Sequence, residues 1–368
     1  MFYQCPFSQE ADKLSEIKSF DDKWKDLKSV SYGANVIGKP FFSTDTIPEI
    51  IKVEILFGPK KEVVGSKSYS KNEDFEATKL YNGEKTYDLY PDNTYYEYSK
   101  NYPDHPIFSQ GGLIDSISYY LDKDLSRFQI LPDTIIDGLE CVYFKFTDYD
   151  KDGMYNYNYF CFEKGNYIPV LYKNDIKTEL SKGDYSLGIQ DSYSETIFNN
   201  IEKDKLDFDL AYFSLPSDAI PAVEDTTKLL GKGEDNPIWN AKDLNGKDHF
   251  SKDFKIKKTL LFLTTMDCPA NELSINLLNK LKEKYTTEEI QFIGVFSESS
   301  KRLEKYIQLK NIDFPIIGNG KPIKKLYHAK GSPNFCLIDK DGKIYFSQFG
   351  YNDKLEVELI NNIAEMDR

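Results

Sequence analysis

The sequence predicts two domains of different class, an N-terminal α+β domain with helices on a large antiparallel sheet and a C-terminal α/β domain. Three observations carry this. At 368 residues the chain exceeds what one ordinary core holds. From about Ser31 to Ser194, short apolar and aromatic runs are broken by turn residues. Beyond about residue 230, apolar strand-like runs alternate with amphipathic helical stretches, the element order of an α/β fold.

The N-terminal elements follow in order. Between Asp12 and Val30, Leu14, Ile17, Phe20, Trp24 and Leu27 recur at helical spacing and predict one amphipathic helix. Val53-Glu54-Ile55-Leu56-Phe57 runs into Gly58-Pro59, Lys79-Leu80-Tyr81 into Asn82-Gly83, and Glu140 to Phe146 toward Asp150-Lys151-Asp152-Gly153. Aromatic residues make up 15% of the chain, with 27 Tyr and 25 Phe, and such side chains suit the half-buried face of a pleated sheet. A second helical stripe, Leu113, Ile114, Ile117, Tyr120 and Leu121, interrupts the strands over Gly111 to Leu125. This order of elements, together with the phrase Asp137-Gly138-Leu139-Glu140-Cys141-Val142-Tyr143, is similar to lipoprotein-carrier-type domains, which implies a lipid or protein ligand. A purely structural sheet accounts for the same pattern.

The expected organisation is residues 1–11 as a remnant of an export signal or a disordered start, 12–225 as the helix-and-sheet domain, 226–236 as a Gly- and Pro-punctuated linker, and 237–368 as the α/β domain. Met1 to Gln9 lacks the basic start and long apolar middle of a complete signal peptide. Cys5 within it is either a removed signal residue or a lipid-anchor site disfavoured by its bulky neighbours. A formal charge of −13 with no Lys/Arg-rich block argues against a nucleic-acid partner, because such binding rests on neutralising phosphates. No apolar run reaches the roughly 18 residues of a spanning helix.

In the second domain, Lys257 to Leu263 is an apolar strand fit for burial on both faces, and Leu273, Leu277, Leu278, Leu281 and Tyr285 form one helical face. Ile290 to Phe296 is another strand, Lys301 to Lys310 a helix, Asn334 to Asp339 the start of a hairpin closed by Lys340-Asp341-Gly342-Lys343, and Leu355 to Met366 a last helix. The phrase Asn236-Pro237-Ile238-Trp239, then the strand, then Asp267-Cys268 opening a helix, then Gly331-Ser332-Pro333-Asn334-Phe335 resembles the exported TlpA/ResA branch of the thioredoxin superfamily, over about 140 residues. The resemblance implies a reactive cysteine at Cys268, at the start of the first long helix, and a cis-proline at Pro333. Cys268 and Pro333 are then the catalytic positions, with Asp267, Pro269, Asn271 and Ser332 around them. A protein thiol or disulfide would be the substrate, no cofactor is needed, and the location would be extracytoplasmic.

The motif departs from the family where Cys268-Pro269-Ala270-Asn271 places Asn271 at the position of the resolving cysteine. Two-thiol reduction within the motif is therefore impossible. Asp267 also sets a like charge beside the thiol, against the helix dipole that favours thiolate. Three readings of Cys268 stay open: monothiol exchange, in which an outside thiol resolves the mixed disulfide; peroxidatic chemistry, suggested by Thr265 three residues earlier but with Leu261 where a proline belongs and no matching arginine; and a redox-inactive binding fold. Copper-chaperone relatives need a second cysteine, where Glu272 stands, and a later His, for which His328 is an isolated candidate.

Other constellations have plainer readings. Asp148, Asp150 and Asp152 resemble half a calcium loop, but Gly153 at positive φ in a hairpin turn explains them better. That hairpin brings Cys141 and Cys161 together as a candidate cross-strand disulfide, with two buried thiols as the alternative. Cys336 reads as a core residue of its strand, with a resolving role as the lesser alternative because it is the other cysteine of that domain. Tyr-rich runs at 95–98 and 155–159 line either a ligand surface or ordinary strands. His105 and His249 have no ligating neighbours at metal spacing, so no metal site is expected.

Overall fold

A computed structural model describes residues 15–20, 22–24, 26–43, 45–59, 62–73, 75–98, 125–182, 185–205, 209–223, 226–266 and 268–366. The chain separates into two compact units whose main division falls between residues 224 and 225.

The first unit is dominated by one sheet of 13 strands among the described residues. They are β1 (Ser29–Lys39), β2 (Ile47–Phe57), β3 (Val63–Lys71), β4 (Glu76–Tyr81), β5 (Thr86–Leu89), β6 (Thr94–Tyr98), β7 (Phe128–Ile130), β8 (Thr134–Ile136), β9 (Leu139–Lys151), β10 (Met154–Glu163), β11 (Pro169–Lys182), β12 (Tyr185–Lys203) and β13 (Ile220–Pro221). The order β13-β6-β5-β4-β3-β2-β1-β12-β11-β10-β9-β7, with β8 also on β9, is a meander closed between first and last long strands, since β1 pairs with β12. The β9–β10 connection is a two-residue turn, Asp152-Gly153, both at positive φ and joining the paired residues Lys151 and Met154. That is the twist-compatible hairpin geometry, and Asp152 serves it. Asp148 and Asp150 lie within β9, where Asp148 pairs with Arg127 at 3.6 Å and Asp150 accepts from the Tyr157 hydroxyl at 2.6 Å.

Strand alternation sorts the aromatics. Phe144, Phe146, Phe160 and Phe162 pack with Val30, Val53 and Ile55 on one face, while Tyr155, Tyr157 and Tyr159 share the other. There Tyr155 and Tyr157 stack at 4.5 Å, and Lys145 Nζ sits 3.1 Å from the Tyr157 ring centre. The core face is covered by a helical segment whose described residues are 15–20 and 22–24. From it Ile17, Phe20 and Trp24 enter the core, Phe20 stacks on Phe162, and the Trp24 indole donates to the Tyr167 carbonyl at 2.7 Å. The helix is shorter than expected: Val30 belongs to β1, where its branched side chain suits the strand and it pairs with Ile55 and Lys203. The helix expected over Gly111 to Leu125 lies outside the described residues except for Leu125, which opens a one-turn 3-10 helix.

The second unit opens with a hairpin, β14 (Asn240–Lys242) and β15 (Asp248–Phe250), followed by β16 (Lys258–Thr264), α1 (Pro269–Lys284), β17 (Ile290–Phe296), α2 (Ser300–Lys310), β18 (Ile316–Ile317), α3 (Lys321–Leu326), β19 (Asn334–Ile338), β20 (Ile344–Phe349) and α4 (Leu355–Glu365). The five-stranded order is β18-β17-β16-β19-β20, with β16, β17 and β18 parallel and β19 and β20 antiparallel. All seven residues of β16 are buried, as a strand covered on both faces must be. Leu260 and Phe262 face Ile275, Leu278 and Leu281 of α1 and Leu359 of α4, while Leu261 and Leu263 face Trp239, Phe254 and Tyr327. Residues expected to form a linker are fastened to this unit: Leu230 donates its N–H to the Tyr327 carbonyl at 3.2 Å, and Gly233 and Glu234 exchange backbone bonds with Ile344 at 2.8 Å.

Candidate functional site

The parallel strands β16 and β17 end on the same edge of the sheet, and the candidate site is built there. Cys268 is the N-cap of α1, in extended conformation, and Pro269 occupies the first helical turn, where its missing N–H costs nothing. The thiol is half-buried and free. Its Sγ donates to the Ser332 carbonyl at 3.3 Å, and the following Ser332–Pro333 bond is cis. Residues 268 and 332, far apart in sequence, thus meet. Asp267 lies outside the described residues.

Asn271 is completely buried, and its amide closes a ring of four hydrogen bonds. The Thr265 N–H donates to Ser332 Oγ at 3.0 Å, and the Ser332 hydroxyl to Thr264 Oγ1 at 2.5 Å. Thr264 Oγ1 donates to Asn271 Oδ1 at 2.5 Å, and Asn271 Nδ2 returns a bond to the Thr265 carbonyl. Each group donates once and accepts once around the ring, so a polar cluster that burial would otherwise penalise is satisfied. The ring ties the end of β16, the first turn of α1 and the loop before Pro333 into one frame. Sequence reasoning registered Asn271 only as a missing thiol.

The remaining candidates fall elsewhere. Glu272 pairs with Lys310 at 2.8 Å. Cys336 lies on the sheet face away from α1, fully enclosed, and burial pushes its thiol up to about 12. His328, at positive φ, approaches the Lys228 carbonyl through Nδ1 at 3.3 Å. His105 is outside the described residues. His249 does have a carboxylate neighbour, contrary to expectation: the β14–β15 hairpin folds it back onto Asp243, with Nε2 2.9 Å from Oδ2 and both side chains buried. Cys141 and Cys161 are both buried free thiols on one sheet face, where Cys161 opposes Tyr143 and Cys141 opposes Glu163, so they sit diagonally across β9 and β10.

Comparison with known proteins bears on the second unit. A family model described as AhpC/TSA family matches residues 233–347. The thiol-disulfide oxidoreductase ResA of Bacillus thuringiensis subsp. konkukian (strain 97-27) is 30% identical over 128 residues, which cover 34% of this chain and 74% of that protein. Through its C-terminal domain the chain belongs to the TlpA/ResA branch of the thioredoxin superfamily. The thioredoxin-like protein YneN of Bacillus subtilis (strain 168) is 25% identical over 133 residues, 35% of this chain and 78% of that protein. A solved structure of a putative thiol:disulfide interchange protein DsbE from Chlorobium tepidum is 21% identical, with TM-score 0.35, covering 37% of this chain and 98% of that one. In this TlpA/ResA-like domain Cys268 opens α1 beside the cis Ser332–Pro333 bond, and Asn271 stands three residues after it.

Proposed function

We propose that the protein exchanges thiols and disulfides through Cys268 acting as a single thiol. The observation that carries this is the half-exposed Cys268 sulfur at the start of α1, 3.3 Å from the carbonyl before Pro333, with an amide where a second thiol would stand. The α1 N-terminus favours the thiolate. Cys268 thiolate attacks one sulfur of a substrate disulfide, forming a mixed disulfide and releasing the other substrate sulfur as thiolate. An outside thiolate then attacks the mixed disulfide, takes the substrate sulfur and returns Cys268 as thiolate. Pro333 and Ser332 shape the groove that receives the substrate, and no cofactor takes part. Extracytoplasmic placement follows from the same resemblance; among the described residues no helix is long and apolar enough to cross a membrane.

The test is to mix the reduced protein with a peptide disulfide, quench with acid and analyse by mass. An adduct on Cys268, absent from Cys268→Ser, that persists until glutathione is added is the expected result. Absence of an adduct under conditions where Cys268 is alkylated sinks the proposal. The second reading, a redox-inactive binding protein, is favoured by the ring that locks Asn271, because the frame is complete without any sulfur chemistry. Under that reading the sheet domain carries the function through a lipid or protein partner. The 420 Å³ groove over β1, β2 and β3 mixes apolar Ile50, Ile51 and Val53 with polar Lys52, Glu54 and Lys67, and offers such a partner both kinds of contact.

A further inference from the structure

Lys324 is a buried lysine at the base of the site. Only 7% of it is exposed, whereas its neighbours Lys321 and Lys325 face solvent. Its ammonium donates to the Thr264 carbonyl at 3.0 Å and to Ser297 Oγ at 2.9 Å, the ends of β16 and β17. Gly320 makes this reach possible. Its N–H bonds the Phe296 carbonyl at 2.7 Å, and a Cβ there would lie 2.3 Å from Val295 Cγ1, so only glycine lets α3 settle this close to the strand ends.

Burying an ammonium costs several kcal/mol unless charge or hydrogen bonds compensate. The two acceptors, a carbonyl and a hydroxyl, are neutral. The charged and titratable groups that act on Lys324 are Glu298, just past β17, Lys321 on its own helix, and Cys268 at the start of α1. Burial holds the ammonium below the usual lysine range, repulsion from Lys321 works in the same direction, and negative charge at Glu298 and Cys268 opposes them. Thr264 joins the lysine to the cysteine's surroundings: its carbonyl accepts from Lys324, and its hydroxyl oxygen accepts from Ser332, whose own carbonyl accepts from Cys268 Sγ. A second sulfhydryl helps hold the reactive thiolate in a Cys-X-X-Cys site. Here the Asn271 amide is engaged in its ring and faces Thr264 and Thr265 instead.

We propose that Lys324 is a positioning residue for Cys268, a fixed buried cation against which the Cys268 thiolate forms. It rests on the exchange reading of Cys268 but is tested apart from it, since alkylation reads the thiol whether or not exchange occurs. Iodoacetamide alkylation of Cys268 is followed against pH in the full chain and in Lys324→Gln, Lys324→Met and Lys325→Gln. Gln keeps hydrogen-bonding capacity toward Thr264 and Ser297 without the charge. Both Lys324 variants are expected to move the inflection up by about half to one pH unit, leaving about three- to tenfold less thiolate below it. Lys325→Gln, a solvent-facing charge, leaves it in place. An unmoved inflection in folded Lys324→Gln overturns the proposal, as does a shift equal to that of Lys325→Gln. If Lys324→Met does not fold, the Gln variant decides alone. Failure of the exchange reading shows separately, as absence of a mixed disulfide in the unsubstituted protein.

Discussion

The Cys268 sulfhydryl points at the Ser332 carbonyl oxygen across 3.3 Å, and Ser332 in turn sends its hydroxyl 2.5 Å to Thr264. Cys268 is thereby referenced to the same frame that holds Asn271. Only the protonated sulfur can donate this bond. Forming thiolate therefore gives up the Ser332 contact.

Asn271→Cys is expected to convert the site into a two-thiol one. Residue 271 lies on the first turn of α1, and its N–H already bonds the Cys268 carbonyl at 2.9 Å. With oxidised glutathione the variant should lose two hydrogens as a disulfide forms between Cys268 and the introduced thiol. A mixed disulfide with a peptide should then resolve without added thiol. Losing the amide breaks two ring bonds and leaves the Thr265 carbonyl without that donor, costing about 1–3 kcal/mol. A variant that folds yet still needs external thiol for release would show that position 271 does not act as the resolving site.

The described thiols should differ sharply in reactivity. Cys268 is half-buried, whereas burial pushes Cys141, Cys161 and Cys336 up, and Cys336 has no exposed surface. Brief iodoacetamide treatment at about pH 8, near the ordinary thiol range, should mark Cys268 and spare those three until urea is added, as peptide mass mapping will show. Cys161 and Cys141 share one sheet face, diagonally across β9 and β10. Refolding with a glutathione disulfide present is expected to join them, with two glutathione thiols released per bond. Rapid labelling of Cys336 in the native protein would contradict the burial that this ordering rests on.

What the sequence made legible was local. Cys268-Pro269 before a helical stripe and Ser332-Pro333 before an apolar strand each sit within a few residues, and the fold of the second unit follows from the alternation around them. The sheet of the first unit was legible for the same reason, through Asp152-Gly153 and the Tyr and Phe alternation. The ring through Thr264, Thr265, Asn271 and Ser332 was not, because it closes between residues far apart in the chain. Lys324 stood in a run of three lysines around Pro322 and Ile323, and nothing in that run marks one of them as buried. The Asp243–His249 contact is set by the register of a short hairpin, which residue spacing alone did not reveal.

That contact predicts a pH dependence. Burial pushes the Asp243 carboxyl up, but the bond from His249 and the N–H groups of Lys247 and Asn245, at 3.0 and 2.9 Å, together hold it below the usual carboxylate range. A carboxyl depressed in the folded state stabilises fully above its unfolded value of about 4, and the stabilisation is lost as pH falls through the lower folded value. Trp239 lies in the same unit, its N–H bonded to Ser251 Oγ at 2.8 Å. In a Trp24→Phe background its fluorescence isolates the unfolding of this unit. The urea midpoint should fall more steeply from about pH 5 to about pH 3 with Asp243 than with Asp243→Asn, whose amide cannot titrate. Parallel midpoints across that range would mean that the pair contributes packing but no proton-linked stability, and the depressed carboxyl would have to be abandoned.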